Sequence, residues 1–157
     1  MEDKEVTWFP SYGPEMRGGT ANVTVIISDE RISSPVLKEF DTAIILNQQS
    51  MDKFEGSVKA GGTLIYDPNG IVNPPKRKDI DIYKVEGTRS AVEMGNPRVF
   101  NMIFLGSYLK IKPILSLENV ERGLEKSLPH RYHKLIPLNL EAIRRGQEIV
   151  ESVQVTG

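Results

Sequence analysis

No cysteine occurs among the 157 residues, which excludes disulfides, thiolate zinc sites and any iron-sulfur cluster held by thiolates of this chain. Histidine is nearly as scarce. His130 and His133 stand together in a late segment after Pro129, so nucleophilic catalysis by a Ser-His or Cys-His pair has little to draw on. Neither sign of charge is in excess: 20 basic against 21 acidic side chains leave a net −1. That balance gives no electrostatic ground for nucleic acid or an anionic membrane as partner. Long apolar runs are also missing. None reaches the roughly eighteen residues that span a bilayer, and Met1-Glu2-Asp3-Lys4-Glu5 lacks the cationic and apolar regions of a signal peptide. A soluble, cytoplasmic protein is expected.

What remains is a normal globular composition, 39% hydrophobic and 26% charged, without repeats or low-complexity segments. The length suits one domain over residues 1–157. Val6 to Pro10 is a short β-prone run before the turn formers Ser11-Tyr12-Gly13-Pro14. The β-branched run Ala21 to Ser28 predicts a strand that is half buried at first and buried at its end. Phe40 to Leu46 is too short for a helix and suits an interior parallel strand. Asn47 then opens a helix to about Val58, with Met51, Phe54 and Val58 on one face and Gly61-Gly62 as its end. Thr63 to Tyr66 reads as the next strand, closed by the turn Asp67-Pro68-Asn69-Gly70, and Ile80 to Val85 alternates like an edge strand.

Three helices are expected to finish the chain. The first starts at Pro97 and is apolar nearly all round through Leu105; Asn96 caps it, and Asn101 must find an internal or interfacial partner. Ser116 caps a second helix to about Leu128. Asn139 caps a third, with Leu140, Ile143, Val150 and Val153 in one apolar stripe. The fold class is therefore α/β, a three-layer sandwich with a mixed, largely parallel central sheet and helices on both faces.

The most specific stretch is Trp8 to Asn22. Arg17 offers a planar fork for phosphate or carboxylate, and Gly18-Gly19 let the backbone approach another surface closely. A plainer reading stands beside it: Glu15 pairs with Arg17 and the glycines only turn the chain. The spacing is neither a dinucleotide-binding fingerprint nor a P-loop. Asn47, with Gln48 and Gln49, sits at the carboxyl end of a parallel strand, where open α/β sheets bind ligands, or simply caps a helix. His130 and His133 lack a third metal ligand nearby and read as surface residues, and Lys76-Arg77-Lys78 reads as a solvated loop. Trp8 and Phe9 are expected in a core or an interface.

The block Ser11-Tyr12-Gly13-Pro14-Glu15-Met16-Arg17-Gly18-Gly19-Thr20-Ala21-Asn22 resembles the signature of the gamma subunits of 2-oxoacid:ferredoxin oxidoreductases. Met94-Gly95-Asn96-Pro97-Arg98-Val99-Phe100-Asn101-Met102 resembles their second recurring block. The likeness runs from about Val6 to the C-terminal helix, and implies the gamma-domain fold of pyruvate:ferredoxin oxidoreductase. It further implies a subunit without activity of its own, part of an enzyme that oxidatively decarboxylates a 2-oxoacid with coenzyme A to acyl-CoA, carbon dioxide and reduced ferredoxin. The form of the first block is closer to 2-oxoglutarate and branched-chain oxoacid enzymes than to pyruvate ones.

Alpha and beta subunits, and in some complexes delta, would be the partners, with ferredoxin as acceptor. Thiamine diphosphate, magnesium and the iron-sulfur clusters would reside on them. By the same resemblance Ser11, Tyr12, Gly13, Glu15, Arg17, Gly18 and Gly19 line the surface where coenzyme A enters the thiamine site, or else pack subunits together. Members of this family usually begin with a further strand, a Gly-Gly-Gln-Gly turn and a helix, which nothing here matches; open strand edges and a homodimer of the isolated chain are then expected. The alternative to the whole reading is a free-standing α/β module that grips a phosphorylated small molecule.

Overall fold

The structure is a computed structural model and describes residues 4–12, 21–34 and 36–155. β-branched and aromatic residues at every second position pull two segments into extended backbone. These are β1 (Glu5–Tyr12) and β2 (Ala21–Ser28), which pair antiparallel as a two-stranded ribbon. The other strands, β3 (Phe40–Ile45), β4 (Val58–Tyr66), β5 (Asp81–Lys84) and β6 (Glu151–Val153), form a separate sheet in the order β3-β4-β5-β6. β3, β4 and β5 are mutually parallel and β6 runs against β5. The sheet is thus mixed and largely parallel.

Among the described residues five α-helices clothe it: α1 (Gln48–Phe54), α2 (Gly87–Glu93), α3 (Phe100–Ile111), α4 (Leu117–Ser127) and α5 (Ile136–Ile149). Met51 and Phe54 of α1 pack on Ile45, Val58, Leu64, Tyr66 and Ile82 over one face. Over the other, Ile65 and Val85 meet Ala91 of α2, Ile103 and Phe104 of α3 and Ala142 of α5. α4 closes the outside of that layer through Val120, against Leu109, Ile136, Leu140 and Ile143. Alternation along the strands sends Leu64 and Ile65 to opposite faces, and both are fully buried because both faces are covered. Three layers result.

α3 and α5 cross with almost no gap. A Cβ on Gly106 would lie 1.9 Å from the Ile143 carbonyl oxygen, and one on Gly146 would lie 1.9 Å from that of Ile103. Ser107 Oγ, also buried, joins the two backbones at 3.0 Å from the Ile103 oxygen and 2.9 Å from the Gly146 oxygen.

Several expected boundaries move. α1 ends at Phe54, and Gly61-Gly62 lie inside β4. Gly61 has φ +73°, a left-handed conformation that favours glycine, and there the ladder with β3 shifts register between Phe40 and Thr42. The glycines make a bulge rather than a helix end. Arg77 secures it, its Nη1 donating to the carbonyls of Glu55 (3.2 Å) and Val58, and its Nε to Asp79 Oδ1 at 2.8 Å. It is therefore not the free cation of a solvated loop.

β5 is interior, not an edge, because residues 151–153 leave the helical stripe and return as β6; Val150 and Val153 lie outside α5. α5 starts at Ile136 with Pro137 in its first turn, so Asn139 falls within it and caps nothing. Conversely β3 is an edge strand among the described residues, and Ile44 on it is exposed. Asn101 is exposed, so its amide needs no internal partner. α2 had no signature in the sequence. Ser116 caps α4 as expected, its side chain accepting from the Asn119 amide (3.1 Å), whereas Asn96, accepting from the Arg98 amide (3.1 Å), caps a short 3-10 turn, Pro97–Val99, that leads into α3.

Candidate functional site

The ladder register of the ribbon sets Ser11 opposite Asn22 and Tyr12 opposite Ala21. The two ends of the first motif block are therefore held side by side, with Ser11 exposed and Asn22 half-buried. Gly13, Glu15, Arg17, Gly18 and Gly19 lie outside the described residues, as does the choice between an anion grip and a Glu15–Arg17 pair. The rest of the ribbon presents one unusual face. Cross-strand pairs Val6–Ile27, Trp8–Val25 and Pro10–Val23 share a side, and Trp8 is 66% exposed. None of these residues joins the three buried clusters. The expectation that Val23, Val25 and Ile27 bury as β2 proceeds is not met, since nothing described in the chain covers them.

The carboxyl ends of β3, β4 and β5 form the second candidate region. Asn47 is exposed there and caps α1, its Oδ1 accepting from the Ser50 amide at 2.8 Å. Gln48 is a tie: its Oε1 accepts from the amides of Val72 (2.8 Å) and Asn73 (2.7 Å), and its Nε2 donates to Asp52 at 2.7 Å. Gln49 is exposed.

Asp67, at the end of β4, is 1% exposed and bonded on both oxygens. Oδ1 accepts from the Asn69 amide at 2.9 Å, and Oδ2 accepts from the amide (2.9 Å) and hydroxyl (2.7 Å) of Thr88 in α2. A carboxylate from one loop thus caps a helix 21 residues away. Its only sequence signal was the Asp67-Pro68-Asn69-Gly70 turn. A shallow cleft of about 290 Å³ opens beside it, bordered by Pro68, Asn69, Glu86 and Arg89. Arg89 is occupied by Glu93 (2.9 Å) and Glu86 (3.2 Å), which hold its pKa above the ordinary value through those hydrogen bonds and their charge. Burial raises the Tyr66 phenol, with Lys84 opposing.

Chemically, both regions are equipped to hold and present, with no imidazole or thiol among them. The histidines are in the turn before α5, their rings 4.5 Å apart, and His133 Nε2 donates to the Leu128 carbonyl at 2.9 Å. Among the described residues no group of three His, Cys, Asp or Glu side chains converges as a metal site. Nor is any described helix long and apolar enough to cross a membrane.

Comparison with known proteins fits this picture. A model of the pyruvate ferredoxin/flavodoxin oxidoreductase family matches residues 1–149. The 2-oxoglutarate synthase subunit KorC of Methanocaldococcus jannaschii is 34% identical over 155 residues, which are 97% of this chain and 81% of that protein. The ketoisovalerate oxidoreductase subunit VorA of Methanothermobacter marburgensis is 31% identical over 150 residues, 94% of this chain but only 30% of that much longer protein. In structure, the gamma subunit of a keto/oxoacid ferredoxin oxidoreductase from Geobacter sulfurreducens superposes with a TM-score of 0.76 at 25% identity, over 93% of this chain and 78% of that one. The two motif blocks, the mixed sheet between helical layers and a match that runs through nearly the whole sequence converge on one conclusion: this chain belongs to the pyruvate ferredoxin/flavodoxin oxidoreductase family.

Proposed function

We propose that the chain works as the gamma subunit of a cytoplasmic 2-oxoacid:ferredoxin oxidoreductase, converting 2-oxoglutarate or a branched-chain oxoacid with coenzyme A to the acyl-CoA, carbon dioxide and reduced ferredoxin. The observation that carries this reading is the family match over residues 1–149, together with relatives named for 2-oxoglutarate and ketoisovalerate. The donor set bears on how the work is divided. Without cysteine the chain cannot ligate an iron-sulfur cluster by thiolates, and the described residues offer no acidic or imidazole cluster for a divalent ion. By the family resemblance, the clusters, thiamine diphosphate and its magnesium are assigned to the alpha and beta subunits, and to delta where present.

This chain's share is recognition. Arg17 contacts a phosphate of coenzyme A, the backbone amides of Gly18 and Gly19 assist, and Ser11, Tyr12, Gly13 and Glu15 shape the same surface, with Asn47 in support. An arginine-phosphate contact contributes about 1.5–3 kcal/mol. In the reconstituted complex, Arg17→Ala is expected to raise the KM for coenzyme A by roughly ten- to a hundredfold, with the KM for the oxoacid little changed. Viologen reduction is the readout. An unchanged coenzyme A KM would remove the site assignment, and absence of turnover with every partner and cofactor supplied would remove the functional reading.

A further inference from the structure

A tyrosine at the carboxyl margin of the sheet is buried yet leaves its hydroxyl without a partner. Tyr66 ends β4, beside Ile45 of β3 and Lys84 of β5, and Lys84 in turn lies opposite Glu151 of β6. Alternation places this row on the face that α1 closes, one step beyond Leu64 and Ile82. Tyr66 is 6% exposed, its ring belonging to the apolar cluster with Ile45, Met51 and Leu64. Among the described residues its hydroxyl makes no hydrogen bond, and no buried side-chain oxygen there lacks one, so the phenol oxygen reaches the surface. A phenylalanine would fill the same space. What tyrosine adds is a donor, and burial keeps that donor protonated by raising the phenol above its ordinary pKa.

We infer that Tyr66 and Lys84 together bind one oxyanion, a carboxylate or a phosphate, at the carboxyl ends of β4 and β5. Neighbouring strands lie about 4.8 Å apart, so a phenol and an ammonium paired across the ladder can reach the same acceptor. Lys84 gives one of its three donors to Glu151, at 3.0 Å, and keeps two. A neutral donor beside a positive charge selects an anion over a cation. Glu151 opposes such a ligand from the far side of Lys84, which limits the affinity. The place itself is where ligands of open, largely parallel sheets bind, beyond the strand ends. Oxyanions enter the proposed reaction as the carboxylate of the oxoacid and the phosphates of coenzyme A, so the site bears on that reading without depending on it.

The test is titration of the full chain with inorganic phosphate and, separately, with 2-oxoglutarate, followed by amide chemical shifts at constant pH and ionic strength. Saturable shifts centred on the amides of Tyr66 and Lys84 are expected. Phosphate alone producing them assigns the site to a phosphorylated ligand, and the oxoacid alone assigns it to a carboxylate. Tyr66→Phe, which keeps the buried ring, should weaken binding about tenfold or more. Lys84→Met should remove it, whereas Glu151→Gln, which frees the ammonium and takes away the opposing charge, should tighten it. Thermal unfolding checks that each variant folds. The inference is overturned if neither anion gives saturable shifts at these amides, or if Tyr66→Phe binds as tightly as the parent. Arg17→Ala should leave these titrations unchanged, so failure here and failure of the coenzyme A contact are separate results.

Discussion

The ribbon and the four-stranded sheet are written in nearly the same residues and meet opposite fates. β2 reads Ala-Asn-Val-Thr-Val-Ile-Ile-Ser, and the end of β4 reads Thr-Leu-Ile-Tyr. Leu64 and Ile65 of β4 are 0% exposed, whereas Val25 of β2 is 55% exposed. The difference is not in the strands but in what lies above them. β4 has α1 on one side and α2, α3 and α5 on the other, while the ribbon has water over one face. Apolar alternation specifies extended backbone and a side that seeks cover. It does not say whether the cover comes from the same chain.

Substitutions at three positions probe that contrast. The largest effect belongs to the body, at the crossing of α3 and α5. Gly106→Val places carbon where the Ile143 carbonyl oxygen already sits, so the helices must separate; a loss of about 3–5 kcal/mol is expected, visible as an early, broadened thermal transition. A variant that melts like the parent would mean that the helical layer is looser than this geometry.

Next comes Asp67→Ala, which strips acceptors from the Asn69 amide and from the amide and hydroxyl of Thr88. A cost of about 2–3 kcal/mol in urea unfolding is expected, with hydrogen exchange rising first in α2. Asp67→Asn keeps an acceptor and should recover part of the loss. The smallest effect is reserved for the ribbon. Val23→Ala, measured in dilute solution, should change unfolding of the body by less than about 0.5 kcal/mol. A larger loss there would show that the ribbon is part of the cooperative unit and that the two regions are not separable.

How much was legible in the residues follows the range of the forces involved. Asn47, Asn96 and Ser116 each cap a helical turn, Asn96 the 3-10 turn ahead of α3, because a side-chain oxygen and an amide two or three residues on are brought together by the local chain alone. Asn139 misled, since Pro137 lets a helix begin sooner than the nearest capping residue suggests. The site divided the same way. The Ser11–Asn22 block was visible as a motif, and the structure adds that its ends are paired across a ladder. Asp67 was visible only as a turn former. Its role depends on Thr88, which no local rule connects to it.

The sequence by itself determined the strand segments other than β6 and the start of β4, three capping side chains, the absence of thiolate chemistry and, through two motif blocks, the family. Each rests on composition, on neighbours a few residues apart, or on motif order. Tertiary structure alone decided that β5 is interior and β3 an edge, that two glycines belong to a bulge, that α3 and α5 touch backbone to backbone, and that Trp8 faces water. Those outcomes turn on segments far apart in the chain filling, or failing to fill, the same space, and packing of that kind has no local signature.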